Sequence, residues 1–187
     1  MKTLLKTNTL VSIVIPAYNV GRYIEECILS VVNQTYTHIE ILVVNDGSSD
    51  NTPDVIDKLA IQDKRIVPIH QQNAGVSASR NIGIKASKGE YLIFVDGDDY
   101  IAPDFVEYML KLVKMTGGEL CLSLDSFTRT REKQVRHEVV EVLDPIKATA
   151  LLLSPRIIVG SWNKIYKKSS SSFLLCFIYK SRYKKEN

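Results

Sequence analysis

The decapeptide YLIFVDGDDY, residues 91–100, sets an apolar run directly before three carboxylates, Asp96, Asp98 and Asp99. Ionised carboxylates this close repel one another, so a cluster leaving a buried strand needs a positive partner. An Asp-x-Asp pair turned to one side offers hard oxygen ligands of the kind that suit Mg²⁺ or Mn²⁺. Such ions keep several waters and are completed by substrate phosphates. The missing positive charge is then a divalent metal held with a diphosphate, by Asp96 and Asp98. A calcium loop is the rival, because Asp96, Asp98, Asp104 and Glu107 fall at loop positions 1, 3, 9 and 12. It fails: position 6 is Ile101 rather than glycine, Pro103 interrupts, and a strand precedes it where a helix should. A solvated acidic turn that also caps the next helix is the plainer reading, although three acids exceed what a cap requires.

Two other segments carry chemistry. In NDGSSDNT, Asp50 is a turn and helix-capping residue by type, whereas Asp46 follows the strand immediately and faces the presumed crevice. A carboxylate there can accept a hydrogen bond from a nucleobase imide, and a turn residue is the equal alternative. In NAGVSASRN, Gly75 precedes a helix whose first turns bear Ser77, Ser79 and Arg80. Free N–H groups at a helix start plus a guanidinium attract phosphate oxygens, and Arg80 as an ion-pair partner is the competing assignment.

These residues need a scaffold. Apolar, β-branched runs at 11–17, 39–47, 65–71, 90–95 and 118–123 predict strands, and helical spacing predicts helices near 21–34, 53–61, 76–87 and 103–115. Strands alternating with helices argue for an α/β fold with a parallel sheet covered on both faces. In such sheets the ligand crevice lies beyond the carboxyl ends of the strands, where Pro16-Ala17-Tyr18-Asn19, Asp46 and Asp96–Asp99 would meet. Beyond residue 124 the pattern weakens to a polar loop and a short strand. A helix over 144–154, with Asp144 as N-cap, follows.

The chain has 187 residues, 45% of them hydrophobic, enough for one domain with a real core. Cys27, Cys121 and Cys176 lack metal spacing and point to a reducing compartment, and no apolar window reaches spanning length. A cytoplasmic location is the expectation. Residues 1–127 hold 11 Lys/Arg against 16 Asp/Glu, whereas 128–187 hold 13 against 5. An acidic body excludes a basic nucleic-acid face, and the basic tail either touches an anionic membrane peripherally or is simply solvated. No G-x-G-x-x-G follows the first strand and no phosphate-binding G-x-x-x-x-G-K-[ST] occurs. GVSAS lacks the second glycine of a nucleophile elbow, and the first strand ends without the acidic pair of a phospho-receiver.

In order along the chain, VSIVIPAYN, LVVNDGSSDNT, NAGVSASRNIG, GEYLIFVDGDD and SWNKIYKK resemble the family-2 glycosyltransferases of the GT-A fold, over about residues 10–168. The resemblance implies a Rossmann-like nucleotide half in residues 1–127, a nucleoside-diphosphate sugar donor (usually a UDP-sugar), Mn²⁺ or Mg²⁺, and transfer with inversion to a saccharide or lipid-linked acceptor. It places Pro16, Ala17, Tyr18 and Asn19 around base and ribose, Asp46 on the uracil edge, Arg80 near base or diphosphate, Asp96 at ribose or metal, and Asp98 as the principal metal contact. Residues 128–168 correspond to a short acceptor-side part. The family's general base is a carboxylate after the Asn-Lys-Ile-Tyr segment, yet after Lys168 the sole acid here is Glu186. Asp99 is the stand-in candidate. The tail 169–187 changes composition abruptly, which reads as a truncated or frame-shifted end, and a donor-binding remnant without turnover is the alternative function.

Overall fold

The computed structural model describes residues 8–123, 141–144, 146–147 and 163–169. Most of the expected helix at 144–154, the short strand before it and the tail from residue 170 lie outside these residues. Asp144 lies within them, and its Oδ1 accepts the N–H groups of Ile146 and Lys147, each at 3.0 Å, as an N-cap does.

The described residues alternate as the apolar pattern requires: β1 (Val11–Ala17), α1 (Ile24–Val32), β2 (Ile39–Asp46), α2 (Thr52–Gln62), β3 (Ile66–Gln71), α3 (Val76–Ala86), β4 (Tyr91–Phe94), α4 (Phe105–Thr116), β5 (Leu120–Leu122) and β6 (Lys164–Lys167). They form one six-stranded sheet of order β3-β2-β1-β4-β6-β5. β1 to β4 pair in parallel, while β6 runs antiparallel to both of its neighbours. β6 is a correction to the sequence reading, which left KIYK unassigned. Two lysines in four residues mask the strand, and its partner β4 lies some seventy residues earlier in the chain. Helix α4 also starts later than expected. Pro103 belongs to the preceding turn, where its carbonyl accepts the Thr35 N–H at 2.8 Å.

Side chains alternate between the faces of a strand. Ile13, Ile15, Ile41, Val43, Ile93 and Val95 pack in one cluster with Ile24, Ile28 and Val31 of α1, Ile56 and Leu59 of α2 and Val106, Met109 and Leu110 of α4. Val14, Leu42, Leu92 and Phe94 form a second cluster, on which Ile84 of α3 packs. Tyr166 of β6 closes it, its ring meeting that of Phe94 edge to face at 5.8 Å. Buried Gln34 joins α1 to the start of α4: its amide donates to the Ser30 and Ala102 carbonyls and accepts the Val106 N–H. The segment that follows the acidic turn is thereby fixed to the core.

Helix α3, which carries Arg80, lies close on β1 because Gly83 has no side chain. A Cβ there would stand 2.3 Å from Cγ1 of Val14, which is fully buried and branched. Gly83→Ala gains about 1 kcal/mol of helix propensity but meets overpacking of about 1–3 kcal/mol. So short a contact sets the penalty at the upper end, and a net loss of about 2 kcal/mol is expected. A lower urea midpoint at unchanged m-value is the check.

Candidate active site

The carboxyl ends of β1, β2 and β4 form one rim, and β1 shapes it through Pro16. The parallel ladder pairs Val14 with Phe94, and the Val95 N–H donates to the Val14 carbonyl at 3.1 Å. The next donor the ladder needs on β1 is at position 16, and proline has none. Pairing with β4 therefore ends, and Asp96–Asp99 leaves the sheet as a turn closed by the Asp99 N–H on the Asp96 carbonyl at 2.9 Å. Buried Gly97 lets this turn lie against β1, since a Cβ there would approach the Pro16 carbonyl to 3.0 Å.

Under the turn sits Cys27 of α1, fully buried, its Sγ 3.5 Å from the Asp96 carbonyl. Burial, then the charges of Asp99, Asp96 and Asp98, push the thiol far above its ordinary range, so it stays protonated. Asp96 has a positive partner in Arg80, whose Nη2 lies 2.6 Å from Asp96 Oδ1. The ion pair that competes with a site role for Arg80 in the sequence lies at the site itself, on Asp96. Asp98 is exposed and has no hydrogen-bond or ion-pair partner among the described residues.

The other rim residues line the pocket or brace the loops around it. Asn19 adopts a left-handed backbone, φ 52°, which asparagine tolerates. Its Oδ1 accepts the Ser49 N–H at 2.8 Å and its own N–H donates to Ser48 Oγ at 3.0 Å, tying the loop after β1 to the loop after β2. Asp50 reinforces that tie through the Gly21 and Thr52 N–H groups, the structural part its type suggested. Asp46 is buried, with Oδ1 accepting the Ala74 N–H at 2.9 Å and Oδ2 the Gly75 N–H at 2.8 Å, and Gln71 Nε2 also donates to Oδ1. Burial alone would raise the Asp46 carboxyl, but these donors, with Ser79, outweigh it and hold the group below its ordinary value. Gln71 went unnoticed in the sequence. Its only signal there is its place as the last residue of β3, in register with Asp46.

Pro16, Ala17, Tyr18, Asp46, Asn73, Gly75, Val76 and Ser79 line a cavity of about 330 Å³, within the range of small-molecule sites. Tyr18 stands half-exposed at its edge. A larger hollow of about 540 Å³ lies between α1 and residues 100–103, but none of the expected site residues lines it. Among the described residues no three His, Cys, Asp or Glu side chains form a ready-made metal cage. Asp96 and Asp98 fit a cation that takes one or two carboxylates and completes its shell with water and phosphate oxygens.

The profile of Glycosyl transferase family 2 matches residues 12–172. EpsH of Bacillus subtilis is 38% identical over 168 residues, covering 85% of this chain and 47% of that protein. The chondroitin synthase of Pasteurella multocida is 44% identical over 102 residues, 54% of this chain and 11% of that one. Among solved structures, S. aureus TarS 1-349 in complex with UDP-GlcNAc superposes with a TM-score of 0.64 at 26% identity, covering 84% of this chain and 45% of that one. The chain thus spans about half the length of EpsH and of that TarS structure. No helix among the described residues is long and apolar enough to cross a membrane. With the family profile running through all three rim segments and a mostly parallel sheet that TarS shares, the chain belongs to glycosyl transferase family 2 and has the GT-A fold.

Proposed function

We propose that the chain binds a UDP-sugar at the rim, with Mn²⁺ or Mg²⁺ held by Asp96 and Asp98, and transfers the sugar with inversion to a saccharide or lipid-linked acceptor of a surface polysaccharide or glycolipid. The observation that carries this reading is Asp98: an exposed carboxylate with no hydrogen-bond or ion-pair partner among the described residues, two residues from Asp96, at the same end of the sheet as the cavity of about 330 Å³. The UDP-GlcNAc complex of TarS and the chondroitin synthase relative support the donor and acceptor classes.

Pro16, Ala17, Tyr18 and Asn19 form the base and ribose wall. Asp46 lies on the uracil edge, its carboxylate held in place by Gln71, Ala74 and Gly75. Arg80 faces the diphosphate. A bound divalent ion supplies neutralisation of the charge that gathers on the departing diphosphate. In the transfer, the acceptor oxygen bonds to the anomeric carbon as the bond to the diphosphate oxygen breaks, and the acceptor proton passes to a general base, for which Asp99 is the described candidate. Residues 1–127 are the donor half and 128–168 the start of the acceptor side.

A second reading is a donor-binding chain without turnover, since the groups that the described rim brings together, the Asp46 network and the Arg80–Asp96 pair, are donor-side ones. Incubation with UDP-sugars and Mn²⁺, followed by measurement of released UDP, separates the two. Metal-dependent release supports the transferase. Saturable binding with no release supports the second reading, and neither binding nor release overturns both.

A further inference from the structure

Resting on that reading of the rim, we propose that Arg80 is an exchangeable cation. It holds Asp96 in the free protein and releases it to the divalent ion when the diphosphate arrives, so that metal and nucleotide bind as a coupled pair.

The geometry supplies each step. Arg80 Nη2 meets Asp96 Oδ1 at 2.6 Å, a short charge-assisted contact between side chains only 18% and 32% exposed. The contact uses one nitrogen of a five-donor fork. Arg80 Nε is buried and has no acceptor among the described residues. A guanidinium so placed has donors to spare for a phosphate oxygen, and the first turn of the helix that carries it, α3, which follows Gly75 at φ 90°, lines the rim cavity through Val76 and Ser79. Until a phosphate arrives, Asp96 is already paired with the Arg80 guanidinium and only Asp98 is fully available to a metal. A lone exposed carboxylate binds a divalent ion weakly. A diphosphate offers Arg80 a more highly charged partner, and the freed Asp96 then joins Asp98.

Removing the arginine charge must therefore act in opposite directions on two affinities. Arg80→Gln should bind Mn²⁺ alone about tenfold more tightly than wild type, because Asp96 loses its competitor. The same variant should bind UDP in the presence of Mn²⁺ about tenfold more weakly, because a phosphate donor is gone. A purely structural role would weaken both or leave both unchanged. Arg80→Lys, which can keep a single-nitrogen contact, should restore wild-type affinity for Mn²⁺ alone.

The test is calorimetric titration of Mn²⁺ alone, and of UDP with Mn²⁺, into wild type, Arg80→Gln, Arg80→Lys and Asp98→Ala. If Arg80→Gln does not melt cooperatively, Arg80→Met, which retains the apolar stem, takes its place. Opposite shifts support the exchange. Affinity for Mn²⁺ alone that depends on Asp98 but is unchanged or lower in Arg80→Gln overturns the exchange and leaves the metal site standing. Mn²⁺ affinity that is indifferent to Asp98 overturns the metal site itself.

Discussion

Asp98→Ala should lower metal-dependent UDP release by about 10²–10³-fold, the usual loss when one group stabilising transition-state charge is removed. The fold should scarcely notice. Asp98 is exposed and touches no hydrogen-bond partner among the described residues, so its loss stays within about 0.5 kcal/mol, or under about 2 °C in melting temperature. Paired measurements of initial rate and thermal unfolding provide the check. Full Mn²⁺-dependent turnover by the alanine variant would remove Asp98 from the metal assignment.

Asp46→Asn should do the reverse, damaging the fold and the pocket together. The Asp46 carboxylate is buried and takes N–H groups from Gly75, Ala74 and Gln71. An asparagine amide keeps one acceptor oxygen and turns an NH₂ group toward a donor it previously satisfied, which leaves buried donors facing each other. One orphaned donor costs about 1–3 kcal/mol, and the 73–75 wall of the cavity should loosen with a parallel fall in UDP affinity. The pH dependence follows from the sign of the shift. Asp46 in the folded chain sits below its ordinary value, so its contribution is complete above the unfolded carboxylate range near 4 and disappears as pH falls through the folded value. Urea midpoints from pH 7 down to pH 3 should fall less steeply in Asp46→Asn than in wild type. Asp50 and Asp63, also held low, contribute the same slope to both proteins and cancel in the comparison. Equal slopes would mean that Asp46 is not held by this network.

Local pattern made the scaffold readable. Strands apolar over their whole length, such as VSIVIPA and IEILVVND, announce burial on both faces, and the observed bounds of β1, β2 and β3 fall within a residue or so of the expected ones. What local pattern cannot show is an element whose burial comes from distant partners. KIYK looks like a solvated segment, yet Lys164, Ile165 and Tyr166 are buried because β4 and β5 flank them. The site shows the same division. Asp96, Asp98 and Asp99 stand out because three acids after an apolar run call for compensation, and a positive partner was expected on those grounds. That the partner within this chain is Arg80, sixteen residues earlier and on a helix, depends on the crossover from α3 to β4 and on how closely Gly83 brings α3 to β1. Asp46 was visible as a strand-end carboxylate. Its tether to residues 71, 74 and 75 was not, since backbone donors carry no sequence signature.

The central claim is that Asp98, with Asp96, holds a divalent cation that bridges to a nucleoside diphosphate. A crystal of the protein soaked with UDP and Mn²⁺, and measured for anomalous scattering at the manganese edge, tests it most directly. The account predicts one strong peak within about 2.2 Å of an Asp98 oxygen and of a diphosphate oxygen, with the uracil in the cavity beside Asp46. UDP bound in that cavity with no manganese peak at Asp98, or a peak held by other residues, would contradict it.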